Sequence, residues 1–255
     1  MILRRLTKHV KDQNWFAVGL DFLIVVLGVF IGLQVQQWAG ERERRATESA
    51  YTARLHEEVV ELQALRRPII DYRKRWSAGL ETLTAGLYGE TDRAITSEEC
   101  LSVALASVVT NPTDDLATLI ELQESGGLSR IRDQEVLAAL RGLLLTRARA
   151  RDSREGVAVS VRDVFDRYPA LIRIRPVDRS RLTDPHGQPD SDAFPNFECD
   201  GAAMRTDRAF LNDLEWTRLV LGQHLEDNAI VDRSLANLHR VLDETLGLSH
   251  EASTP

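Results

Sequence analysis

The chain has 255 residues and carries 32 Lys and Arg against 39 Asp and Glu, a net charge of −7. That length supplies one sizeable core or two small ones. The acidic balance argues against nucleic acid as a partner and against a domain lying flat on anionic lipid.

Residues 1–14 form a short tail holding Arg4, Arg5, Lys8 and Lys11. From Trp15 to Val35 the chain is an apolar run interrupted by a single charge, Asp21. A helix over that run reaches about 31 Å at 1.5 Å per residue, matching a bilayer's hydrocarbon core. Its fourteen Leu, Ile, Val and Phe residues favour insertion by about 4–8 kcal/mol. Asp21, near the N-terminal end, opposes insertion by less than about 3 kcal/mol. Residues 15–36 are therefore expected to be a transmembrane helix, with Trp15 and Trp38 at the two interfaces. A cleaved signal peptide has a shorter apolar core, about 7–15 residues, ending at small residues. Here the run ends Gly32-Leu-Gln-Val-Gln-Gln-Trp38, with no A-x-A site.

The basic tail favours a cytoplasmic N-terminus. Arg42, Arg44, Arg45 and Arg54 nearly balance it beyond the span, but a long domain translocates regardless of its charge. The expected location is the inner (cytoplasmic) membrane, with residues 41–255 in the periplasm of a Gram-negative cell. Asp21, Gly28 and Gly32 fall within about 40° of one another on a helix. Gly28 and Gly32 spell G-x-x-x-G, which lets two helix backbones approach closely. Two accounts stand: an association face within the membrane, or ordinary small residues beside an aspartate that reaches the headgroups.

The opening Asn14-Trp-Phe-Ala-Val-Gly-Leu-Asp-Phe-Leu-Ile-Val-Val-Leu-Gly-Val-Phe-Ile-Gly-Leu-Gln-Val-Gln-Gln-Trp38 resembles the start of an uncharacterised bacterial family, a domain of unknown function. Leu119-Ile-Glu-Leu-Gln-Glu-Ser-Gly-Gly-Leu128 with Ile131-Arg-Asp133 is similar to a second segment of that family. The resemblance implies a single-pass membrane protein with a helical domain. It implies no activity, ligand or functional residue.

Nothing breaks the helix between Gln36 and Ala50, so the span is expected to continue into the domain. Leu55, Val59, Leu62, Leu65, Ile69, Tyr72, Trp76, Leu80, Leu83 and Leu87 recur at steps of three or four. That spacing is a helix signature. Its phase survives Pro68, predicting a kinked helix rather than a break. An average of about 3.6 favours the longest helix of a bundle core over a coiled-coil seam, which repeats every 3.5.

Thr96-Ser-Glu-Glu99 is a capping box that opens a short helix to about Val109. Asn111-Pro-Thr113 breaks the chain, and Thr113 is placed to cap a helix to Glu124. Ser125-Gly126-Gly127 ends that helix. Asp133 caps a longer one with Val136, Leu137, Leu140, Leu143 and Leu144 on one face, charged from Arg147 to Glu155. It is expected to resume past Gly156 through Val161, Val164 and Phe165, before Pro169.

Residues 169–205 hold five of the eight prolines and read as a long loop. Within it, Leu171–Arg175 has the pattern of a brief strand, and Phe194 and Phe197 bring its end onto the core. Asn212 with Glu215 opens the final helix. Its expected core face is Trp216, Leu219, Val220, Ile230, Leu235, Leu238, Val241, Leu242 and Leu246, with Gly247 ending it. Residues 249–255 read as a frayed tail. The expected fold is all-α: a transmembrane helix continuing into a long kinked helix, then an antiparallel bundle over 41–248 with one Pro-rich loop.

Chemistry is sparse. His9, His56, His186, His224, His239 and His250 form no H-E-x-x-H and no Glu-x-x-His pair. His224 with Asn228, and His239 with Asp243, share helix faces, and structural histidines account for both better than metal ligation. Asp184, Asp190 and Asp192 lack the Gly and terminal Glu of a calcium loop. Asp114-Asp115 fits the dipole of a helix start. No phosphate loop, dinucleotide fingerprint or G-x-S-x-G elbow is present. No catalytic, cofactor-binding or metal residue is assigned, and an enzyme is not expected.

Cys100 and Cys199 are the one specific pair. An oxidising compartment permits a disulfide between them, tying the loop to the bundle; two buried thiols are the alternative. The functional expectation is a membrane-anchored interaction or scaffold protein working through protein–protein contacts, with a partner protein or as a homo-oligomer. The alternative is a periplasmic small-molecule-binding module signalling through a membrane partner.

Overall fold

The structure is a computed structural model that describes residues 15–89, 93–175 and 197–249. By its internal contacts the chain divides after Thr52. Helix α1, Trp15–Tyr88, is unbroken through Gln36–Ala50 and through Pro68. The ring removes a single N–H, and the helix continues past it to Tyr88.

Beyond Thr52 the domain is helical. It consists of α1's second half, α2 (Ser97–Leu105), α3 (Ala117–Glu124), a 3-10 turn (Gly127–Arg130), α4 (Gln134–Ser160), α5 (Val164–Arg167), α6 (Gly201–Thr206) and α7 (Arg208–Leu246). Strands β1 (Ile172–Ile174) and β2 (Phe197–Cys199) pair antiparallel, with Ile172 opposite Cys199 and Ile174 opposite Phe197. The all-α reading holds, with this small ribbon added.

Polar cross-links show how the long helices run. Along α1, His56, Arg66 and Arg73 meet Asp243, Asp232 and His224 of α7 in turn. Along α4, Thr146 and Ser153 meet Ser234 and Asp227 of α7. One series ascends while the other descends, so α1 and α4 both lie antiparallel to α7. Leu55, Val59, Leu62, Leu119, Leu122, Leu140, Leu143, Leu235, Leu238 and Leu242 are buried, as are Leu80, Leu83, Leu87, Val103, Met204, Phe210 and Leu214. Gly79 of α1 lets α2 approach, because a Cβ there would collide with Ser102.

Several boundaries differ from expectation for local reasons. The Thr96 capping box forms, with Thr96 N–H donating to Glu99 Oε2 at 2.9 Å, but α2 ends at Leu105 rather than near Val109. Thr113 does not cap α3, which starts at Ala117. Glu58 of α1 takes the part of a cap instead, accepting from Thr118 N–H at 2.9 Å and Thr118 Oγ1 at 2.6 Å. Asp133 caps α4 as expected, and α4 passes Gly156 without a break to Ser160. Helix α7 starts at Arg208, because Asp207 accepts from Ala209 and Phe210 N–H, five residues ahead of Asn212. Asp200 likewise caps α6, so the end of the 169–205 stretch is a helical turn and not a loop. Gly126 (φ +65°) and Gly247 (φ +68°) take the left-handed conformation that ends α3 and α7.

The largest departure is which side chains face inward. Leu65 and Ile69 of α1 are exposed, and so are Trp216, Leu219 and Ile230 of α7. Their places in the core are taken by Arg66, Ile70 and Arg73, and by Thr217, Leu221, His224 and Asn228. The helical period is kept; the stripe is rotated and partly polar.

Candidate functional site

The apolar flank of α1 is bare. Phe22, Leu23, Ile24, Val25, Val26, Leu27, Val29, Phe30, Ile31, Leu33 and Val35 are all exposed, and they point around the whole helix rather than to one side. Length and composition make α1 a candidate membrane-crossing helix near the N-terminus, and none of its most apolar window is buried. Gly28 and Gly32 lie on this stretch with open space where a Cβ would stand. The Asp21 side chain lies outside the described residues.

The two cysteines meet. Cys100, in the first turn of α2, is bonded to Cys199 at the end of β2, with Cα atoms 5.6 Å apart. The bond holds the ribbon against the core, where Phe197 is buried edge-on to Phe165. The neighbouring capping box is reinforced by Arg93, which donates to both Glu99 oxygens at 2.7 and 2.9 Å. That guanidinium holds the Glu99 carboxyl below its usual range. Phe194, Asp184, Asp190 and Asp192 lie outside the described residues.

A buried polar seam crosses the middle of the bundle. Arg66 is 2% exposed. Its Nε donates to Asp232 at 2.6 Å, and its terminal nitrogens reach the carbonyls of Pro112 and Thr113 and the Asn228 amide oxygen. Arg73, 4% exposed, donates to Thr110 Oγ1 at 2.7 Å and lies 3.3 Å from His224 Nε2. From α4, Arg147 and Arg151 bind Asp114 and Asp115. These aspartates therefore lie in a connecting segment clamped by arginines, not at a helix start. Together the four arginines fasten residues 110–115 between the three long helices.

Burial first, and the Arg73 charge second, push the His224 pKa below its ordinary value of 6.5. The neutral ring is thus the folded form, with Nε2 accepting from Arg73. The unfolded chain takes up this proton below about pH 6.5 and the folded chain resists it. The stability His224 confers is therefore complete above that pH and lost as pH falls, with a limiting slope of about 1.4 kcal/mol per pH unit. Urea midpoints compared at pH 7.5 and 5.5 should drop on acidification. His224→Asn should remove part of that drop; an identical drop in the variant contradicts this account.

At the Asp243 end of α7, two imidazoles face one carboxylate. His56 Nε2 lies 2.7 Å from Asp243 Oδ1, and His239 Nε2 lies 3.5 Å from Asp243 Oδ2. The rings are 5.2 Å apart and tilted by 59°. Sequence placed His239 and Asp243 on one face but missed His56, which is 187 residues from Asp243. Only the pairing of α1 with α7 brings it in. The arginines were missed for a related reason: they stand in phase with Leu62 and Ile70, where an apolar count passes over them.

Between α4 and α7 lies a groove of about 730 Å3, open to solvent. It is lined by small and apolar residues such as Ala139, Gly142 and Ile230 together with Glu135, Arg233, Arg240 and Glu244. No family model, curated protein or solved structure matches this chain.

Proposed function

We propose that this protein is a membrane-anchored helical scaffold. Residues 15–36 span the inner membrane, and the domain beyond them works in the periplasm by contacting another protein or a second copy of itself. The observation that carries this reading is the uncovered apolar flank from Phe22 to Val35. An apolar surface on every side of a helix has no stable place in water, and hydrocarbon is the solvent that suits it. The Cys100–Cys199 bond supports the oxidising side of the membrane. The basic tail supports the same orientation. A groove lined partly by charges and open to water suits a protein segment better than an enclosed small molecule.

The test is extraction of native membranes with alkaline carbonate, followed by protease added to spheroplasts. The full-length chain should stay in the membrane pellet, and the protease should digest the domain from outside. A chain that washes off, or a shortened soluble form lacking the first 35 or so residues, overturns the anchor. A domain protected from external protease overturns the orientation. Crosslinking in those membranes, followed by mass spectrometry, then identifies what the domain touches. Recovery of neither a second copy nor any consistent protein neighbour contradicts the scaffold role.

A further inference from the structure

We propose that His56, His239 and Asp243 form a binding site for a zinc ion that bridges α1 and α7. One donor atom from each residue falls within 4.8 Å of the other two. His239 and Asp243 project from consecutive turns of α7, so their ends meet without strain. His56 comes from the antiparallel α1, and the set therefore depends on the tertiary fold rather than on one helix. Both imidazoles turn the same nitrogen, Nε2, toward the carboxylate.

The donor set has the chemistry zinc takes: two imidazole nitrogens and a carboxylate oxygen. Hard cations that prefer six or more oxygens, such as calcium, are poorly served by it. On tetrahedral zinc the ligand atoms lie about 2.1 Å from the ion and so about 3.4 Å from one another. The observed separations, 2.7 and 3.5 Å on the carboxylate with an outer limit of 4.8 Å, bracket that figure. Widening the 2.7 Å contact to that figure takes a shift of under about 1 Å, within the reach of side-chain torsions. Exposure is graded in a useful way. The Asp243 side chain is 4% exposed, His239 12% and His56 19%. A charged carboxylate that buried is stabilised by a cation. The more open histidine side leaves an entry path and room for water as the fourth ligand.

Bound zinc would fasten α7's C-terminal end to the part of α1 just beyond Thr52. It would do so whether or not α1 is held in a membrane, so this proposal and the anchoring proposal fail separately.

The experiment uses the full chain in detergent micelles, purified without a polyhistidine tag and stripped with a chelator. Cobalt(II) is titrated in and followed by its visible d–d absorption; zinc(II) is then added. One equivalent of cobalt should bind, its bands should vanish with one equivalent of zinc, and calcium should have no effect. Zinc at a hundredfold excess over Kd should raise Tm by about 5–10 °C. His56→Gln and His239→Gln should each weaken binding at least about 100-fold, with circular dichroism reporting that the fold is kept. Should either variant unfold, the wild-type chain still decides the matter through histidine modification by diethyl pyrocarbonate. Zinc should shield His56 and His239 together. No stoichiometric binding, wild-type affinity in the folded single variants, or unchanged labelling of these two histidines overturns the site and leaves a hydrogen-bonded brace only.

Discussion

Arg66→Ala should destabilise the domain by about 3–5 kcal/mol, the range expected when one member of a buried charge network is removed. The side chain is 3% exposed, and its guanidinium serves four acceptors at once: Asp232, Asn228 and the carbonyls of Pro112 and Thr113. Truncation leaves two backbone carbonyls of a clamped segment without their donor, at about 1–3 kcal/mol each. It also opens a cavity where α1, α7 and residues 110–115 meet. Asp232 itself is 36% exposed and can turn to water, so Asp232→Asn should lower stability by less than Arg66→Ala does. Arg67, next in sequence but exposed, is the control, and Arg67→Ala should stay within about 0.5 kcal/mol. Urea unfolding followed by circular dichroism separates the three. A cost below about 1 kcal/mol for Arg66→Ala, or equal costs at 66 and 67, contradicts the clamp.

The same residues explain what could and could not be read from sequence. Periodicity found α1, α4 and α7 because each keeps apolar residues at helical spacing over many turns. It located α1's inner face correctly at Leu55, Val59, Leu62, Leu80, Leu83 and Leu87, and missed it between them. In that middle stretch the inward residues are Arg66 and Arg73, while Leu65 and Ile69 face out. An apolar template has no way to score an arginine whose burial depends on an acceptor more than a hundred residues away. Helix α7 shows the other half of that exchange at Thr217, His224 and Asn228. Caps behaved similarly. Asp133 and the Thr96 box are local and legible, whereas Glu58 serves α3 from another helix. Asp207 was equally local, but its signal competed with Asn212, a second cap residue inside the helix proper. The His56 cluster required the α1–α7 register, which no single-chain pattern encodes. The cysteines were legible as a pair because there are two, yet their bonding needed the ribbon that carries Cys199 to α2.

Reducing that bond should be the other large loss. Cys100 and Cys199 are 99 residues apart, and closing a loop of that size restricts the unfolded chain by about 4–5 kcal/mol in the chain-entropy model. For a domain of this length the loss corresponds to a Tm lower by about 10–20 °C. The double variant Cys100→Ser with Cys199→Ser should match the reduced wild type, since both lose the same restriction. Local consequences should be uneven. The ribbon pairs over only three residues a side, and the bond fixes its end to α2. Phe197 and the first turn of α6 then lose their tether, so amide exchange should accelerate first over 197–206. The α4–α7 contact is spread along Thr146–Ser234 and Ser153–Asp227, with Ala150 and Val231 buried in the stretch between, and should keep its protection until global unfolding. A Tm insensitive to reductant, with two free thiols counted by mass spectrometry, would show that the bond restrains little. Uniform acceleration across α4 and α7 would show instead that the ribbon and the bundle unfold as one unit.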